Sequence, residues 1–153
     1  DMATRDFLPQ VNVNEITRIA VGAQIKQGVL ISQSDIRIDG YFDGTIETSG
    51  KLVIGENAVV IGEVVSMGAE INGKYEGTIY SGQCVSLRES AIFKGTMNSV
   101  QISIEKGAIF DGTCKMISKE DFESHLSKSE KNDQIEENNA EVSEYSSELP
   151  LED

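Results

Sequence analysis

The chain has 153 residues and a formal net charge of −13, with 39% hydrophobic residues but only 6% aromatic ones and no Trp, which fits one domain with appended segments. It carries no Arg/Lys cluster able to neutralise phosphates, which argues against nucleic acid as a partner. No apolar run reaches the roughly 18 residues of a membrane-spanning helix. The N-terminus lacks a basic region followed by an apolar run of signal-peptide length, so the expectation is a cytoplasmic protein. In that compartment Cys84 and Cys114 are expected as free thiols.

In chain order, residues 1–16 read as a flexible N-terminal tail. Phe7-Leu8, beside Arg5 and Asp6, is its one small amphipathic spot and the candidate contact with a membrane surface. From Ile19 onwards the sequence repeats. A Gly-x-apolar pattern occurs as Gly28-Val29-Leu30, Gly44-Thr45-Ile46, Gly62-Glu63-Val64, Gly77-Thr78-Ile79, Gly95-Thr96-Met97 and Gly112-Thr113-Cys114, with glycine spacings of 16, 18, 15, 18 and 17. An apolar-x-apolar pattern runs beside it as Ile19/Val21, Ile36/Ile38, Leu52/Ile54, Ala69/Ile71, Val85/Leu87 and Ile102/Ile104. Two independent markers therefore give one period of about 17 residues, and divide the chain into turns 19–35, 36–51, 52–68, 69–84, 85–101 and 102–118. The alternation of long and short turns predicts that the extra residue is absorbed at one fixed corner.

Within a turn the apolar residues alternate with polar ones. Phe42, Val60, Tyr75, Phe93 and Phe110 stand two residues before the glycine, with Lys26 in that place in turn 1. Leu30, Ile46, Val64, Ile79, Met97 and Cys114 stand two residues after it. Period two means strand, and a 17-residue unit is too short for a strand–helix–strand crossover of roughly 30 residues. One turn cannot bury a core by itself. Stacked turns can, with Val21, Ile38, Ile54, Ile71, Leu87 and Ile104 as an expected internal column. Asp39-Gly40 and Asn72-Gly73 fit corners, and the repeated glycine is expected to point inward between its apolar neighbours. Turns of 16 and 17 are not three hexads, so the right-handed form of a parallel β-helix is favoured over the left-handed one. The solenoid is assigned to residues 17–118.

Residues 119–153 hold 12 acids and 3 bases, against 14 and 10 in residues 1–118. The charge bias thus sits in the C-terminal segment, which reads as an acidic disordered tail. A short helix around Asp121–Leu126 would be marginal alone. His125, the one histidine, is assigned neither a catalytic nor a metal-binding role.

The sequence IleArgIleAspGlyTyrPheAspGlyThrIle at 36–46 recurs in altered form at 52–64 and 102–116. This strand–glycine–strand alternation is similar to that of the bactofilins, the polymer-forming bacterial cytoskeletal proteins, over residues 17–118. The resemblance implies an all-β, three-sided, right-handed parallel β-helix of about six turns. It implies assembly end to end into filaments without nucleotide, metal or other cofactor, in support of cell shape, polarity or the placement of cell-wall enzymes. Many family members carry a short apolar N-terminal membrane-targeting motif, of which Phe7-Leu8 is a partial match. Location at the inner face of the cell membrane is the corresponding expectation.

The residues themselves point to the same behaviour. A solenoid has two open ends, each exposing unpaired backbone and an apolar cross-section, and solubility normally requires polar caps. No cap is evident here. The expected interface is Ile16, Ile19, Val21 and Ile25 at the N-terminal end, and Phe110, Cys114, Met116 and Ile117 at the other. The expected partner is a second copy, with cell-wall or other cytoskeletal proteins beside it. One rival is a monomeric rod that recruits partners through its tails. The other is a β-helix enzyme, but the single His lies outside the repeats and Cys84 and Cys114 have no His beside them. There is no phosphate-binding loop. Asp43, Glu76 and Asp111 form at most a loose column, broken by Ile61 and Lys94.

Overall fold

The computed structural model describes residue 12 and residues 14–126. Phe7 and Leu8 lie outside the described residues. Eight strands follow one another: β1 (Thr17–Ile19), β2 (Gln24–Ser32), β3 (Ile36–Ile38), β4 (Tyr41–Ile54), β5 (Val59–Ile71), β6 (Lys74–Leu87), β7 (Ile92–Ile104) and β8 (Ile109–Met116), with one short helix, α1 (Lys119–Glu123). Every pairing is parallel, and each strand lies on its equivalent from the turn before. The result is a parallel β-solenoid of six turns. One ladder stacks Ile19, Ile38, Ile54, Ile71, Leu87 and Ile104. The other stacks the six repeat glycines in the register read from the sequence.

The first turn departs from the sequence alignment. Ile19, not Val21, pairs with Ile38, so the internal column begins two residues earlier than expected. Val21 is 73% exposed on the Ala20–Ala23 corner, whereas Ile19 is only 6% exposed. Lys26 does not replace an apolar residue either. Ile25 pairs with Phe42, and the register shifts between Ile25 and Gly28. Lys26 and Gln27 together stand opposite the single residue Asp43, and Gln27 takes a φ of 54°, the one positive value for a non-glycine residue among those described. A β-bulge thus resolves the apparent break in pattern.

Turn length varies at two corners rather than one. The first is either the pair Asp39-Gly40 or Asn72-Gly73, or a four-residue turn ending in alanine: Ala20–Ala23, Gly55–Ala58, Arg88–Ala91 and Glu105–Ala108. Each four-residue form is closed by a hydrogen bond from the alanine N–H to the first carbonyl, at 3.0–3.1 Å. A side chain on Gly40 or Gly73 would strike the carbonyls of the longer corner one turn below. Glycine serves close approach there, not positive φ. The second corner holds one residue (Met67) or two (Ser49-Gly50, Gly82-Gln83), and the register shifts at each of these places.

A stacked column of hydroxyls marks that second corner: Ser32, Thr48, Ser66, Ser81 and Ser99. The last four are buried. Thr48 donates to the Ser34 carbonyl at 2.7 Å, Ser81 to that of Met67 at 3.1 Å and Ser99 to that of Gln101 at 2.6 Å. These bonds satisfy backbone groups where the ladder breaks. Ser66 Oγ, beside the Met67 corner, has no partner among the described residues.

The inward residues form one core. Phe42, Val60, Tyr75 and Phe93 are buried in register. Phe93 stacks between Tyr75 and Phe110, with ring centroids 5.1 and 5.3 Å apart. The Tyr75 hydroxyl donates to the Gly62 carbonyl at 2.6 Å, and burial pushes its pKa far up.

The repeat glycines do not point inward as expected. From Gly44 to Gly112 they have φ between 132° and 156°, and a Cβ on any of them would run into the carbonyl of the glycine one turn below. The glycine column is where successive backbones nest.

Residues 119–126, assigned to the tail from sequence, are folded. Ser118 caps α1, its side chain accepting from Asp121 N–H at 3.1 Å. Phe122 is 4% exposed and lies over Gly82 and Met67. His125 stacks on Tyr80 with centroids 3.8 Å apart. An amphipathic turn that is marginal alone is held by packing against the rod's flank.

Candidate polymer interface

The ends of the solenoid follow from where the ladders stop. Among the described residues no strand pairs beyond Ile102–Ile104 of β7, because β8 continues only the glycine ladder. Ile104, the last member of an otherwise buried column, is therefore 47% exposed. The same loss of a covering turn exposes Cys114 above buried Met97, and Met116 above buried Ser99, the latter to 67%. Phe110 stays partly buried, stacked on Phe93. Ile117 is half-buried, its N–H donating to Ser99 at 3.0 Å. Phe110, Cys114 and Met116 thus share the C-terminal cross-section. Ile104 was missed by the sequence reading, although it is the terminal member of the column that reading identified. Cys114 occupies its expected core position but lacks a turn above it, and what burial remains raises its thiol pKa.

At the N-terminal end Ile16 and Ile25 are exposed, Val21 faces outward from a corner, and Ile19 is already enclosed. Asp43 holds this first turn in place. Its carboxylate accepts from the Gln27 N–H at 2.6 Å and from the Tyr41 hydroxyl at 2.8 Å. The bulge amide, then Tyr41, lower its pKa, and the same hydrogen bond raises that of Tyr41.

The flanks hold no convergent chemistry among the described residues. Asp43, Glu76 and Asp111 align with Ile61 and Lys94 between them, which puts successive acids about 10 Å apart. No three His, Cys, Asp or Glu side chains converge on a metal-sized site among the described residues. Arg88 lies 3.2 Å from Glu105 and 4.0 Å from Glu70, and Lys51 lies 3.7 Å from Glu70. These are half-exposed pairs that contribute little stability. No helix among the described residues is long and apolar enough to cross a membrane.

Fold and ends together define a β-solenoid whose exposed apolar surface gathers at its terminal turns. The sequence matches the bactofilins, polymer-forming cytoskeletal proteins, over residues 17–115, and the chain belongs to that family. The cytoskeletal bactofilin BacA, whose atomic structure was obtained by solid-state NMR, is similar in fold. Its TM-score is 0.60 at 27% identity, covering 67% of this chain and 96% of that one. A search of curated proteins gives no match.

Proposed function

We propose that this chain is a cytoskeletal scaffold that stacks end on end into filaments without nucleotide. The observation that carries the reading is the apolar exposure gathered at the terminal turns, above all that of Ile104, Cys114 and Met116 where their columns run out. Docking another end there would extend both ladders and bury the apolar cross-section. The interface assigned is Ile16, Val21 and Ile25 at one end, with Ile19 just beneath, and Phe110, Cys114, Met116 and Ile117 with Ile104 at the other. Family membership supports self-association as the function. It suggests roles in cell shape, polarity or the placement of cell-wall enzymes, from a cytoplasmic site that a membrane contact through Phe7 and Leu8 would bring to the membrane's inner face.

Like ends meeting like ends would give a filament without polarity, and head-to-tail contacts a polar one. The test is electron microscopy of the purified full chain beside Phe110→Arg. The wild type forms filaments without nucleotide. The variant stays folded but monomeric, because a charge buried in the end face would be unpaired. Filaments from Phe110→Arg would remove Phe110 from the interface. A wild type that stays monomeric at high concentration would leave the rod acting through its flanking segments alone.

A further inference from the structure

The C-terminal segment must leave the rod at the very end proposed to stack. The chain beyond Leu126 is 27 residues long, with nine acids and two bases. Starting at Ile117, a segment of that charge would lie across the C-terminal cross-section. It does not start there. After Ser118 the chain turns back along the second corner, and α1 packs on β6 and β7. Phe122 lies in a notch over Gly82 and Met67, and a Cβ on Gly82 would come within 2.7 Å of the Phe122 ring and 2.8 Å of Met67 Sδ. Gly82 is thus a receptor position for an aromatic ring, as well as a corner residue. Beside it, Val65 of β5 points outward yet is buried, and Tyr80 stacks under His125. Leu126 is half-buried and joins Met67, Gly82, Gln83 and Phe122 around one flank groove.

We propose that α1 is a strap that moves the starting point of the acidic segment away from the end face and so licenses end-to-end stacking. This rests on the reading of the ends as the polymer interface. Gly82 lies on β6, two strands below β8, which places the anchor about 10 Å from the end. That is about one Debye length at physiological salt. Released, the same charge would begin at the interface itself, where two like-charged segments repel each other and the partner end.

The test uses full-length chains and sedimentation to measure the critical concentration for assembly. Phe122→Ala releases the strap, and Gly82→Val closes its notch. Each should keep the wild-type circular dichroism and raise the critical concentration roughly tenfold at about 0.05 M salt, with the difference shrinking at about 0.5 M as the charges are screened. Combining Phe122→Ala with replacement of every acid beyond Leu126 by its amide should restore wild-type assembly. A Phe122→Ala chain that assembles like the wild type at low salt overturns the proposal. So does a defect unchanged by salt and by neutralising the acids, which would make α1 a direct support for β6 and β7. If the wild type does not assemble, the end-stacking reading fails and this inference falls with it.

Discussion

Gly77 is the most direct probe of how the turns nest. Its φ is 145°, and a Cβ there would overlap the carbonyl and approach the amide of Gly62. The backbone conformation alone costs an L-residue about 1–2 kcal/mol. The overlap adds to this, because the atom struck belongs to a hydrogen-bonded strand on the rigid interior of the stack. A total of about 3 kcal/mol or more is expected for Gly77→Ala, and more for Gly77→Val, against a whole-domain stability of about 5–15 kcal/mol. For a domain of this size that lowers Tm by about 12 °C or more. Gly112 faces the same overlap with Gly95, but no described strand pairs beyond β8. Gly112→Ala should cost less, because the last turn can lift away. Glu76→Ala, next in sequence and exposed, should change stability by less than about 0.5 kcal/mol. Thermal and urea denaturation followed by circular dichroism measures all three. A Gly77→Ala chain within about 0.5 kcal/mol of wild type would refute the nesting argument, as would equal losses at Gly77 and Gly112.

Four further substitutions separate other parts of the fold. Tyr75→Phe deletes the buried hydroxyl bond to Gly62 and should cost about 1 kcal/mol, read from urea denaturation. Because burial raises the Tyr75 pKa above its ordinary 10.0, the folded state resists ionisation. Stability is fully present below pH 10.0 and falls as pH rises above it. Tyr75→Phe should flatten that alkaline fall. Ser66→Ala removes a buried hydroxyl with no partner among the described residues and should leave Tm unchanged or higher. Ser81→Ala, which strips a bond from the Met67 carbonyl, should lower it by about 1 kcal/mol in stability. Asp43→Ala should abolish hydrogen-exchange protection at the Gln27 amide while leaving the Gly77 ladder protected. In the wild type the same protection holds above the ordinary carboxylate pKa of 3.8, and is lost as pH falls through the lowered folded value.

The interior turns were legible in the sequence because two constraints coincide there. Each glycine must accept a backbone from below, and each flanking apolar residue is covered from above and below. Phe42, Val60, Tyr75 and Phe93 show both marks. Turn 1 has no described strand paired beneath it, so the pattern relaxes. Val21 mimics a core residue while Ile19 fills the place, and the Lys26-Gln27 bulge interrupts the alternation. The glycine's direction was misread because period two places its Cα among inward residues, whereas positive φ swings the missing Cβ along the stack. The hydroxyl column went unnoticed because Ser and Thr at a strand end look like ordinary corner residues. Only register shows that Thr48, Ser66, Ser81 and Ser99 superpose. Phe122 had the one readable sign of a folded C-terminal segment, an aromatic residue four positions after the capping Ser118, but its receptor, Gly82, is distant in sequence. Ile104 was available from the column argument: the last member of a stacked series faces whatever comes next.

End-on-end stacking has a dimension that can be measured. Six turns at about 4.8 Å make a subunit of roughly 29 Å. Cryo-electron microscopy of full-length protein assembled without nucleotide should give filaments with uninterrupted 4.8 Å striping along the axis. The subunit repeat should be about 29 Å for head-to-tail contacts, or twice that for like ends. Monomers at every concentration, or filaments whose strand striping breaks between subunits, would contradict stacking through the terminal turns.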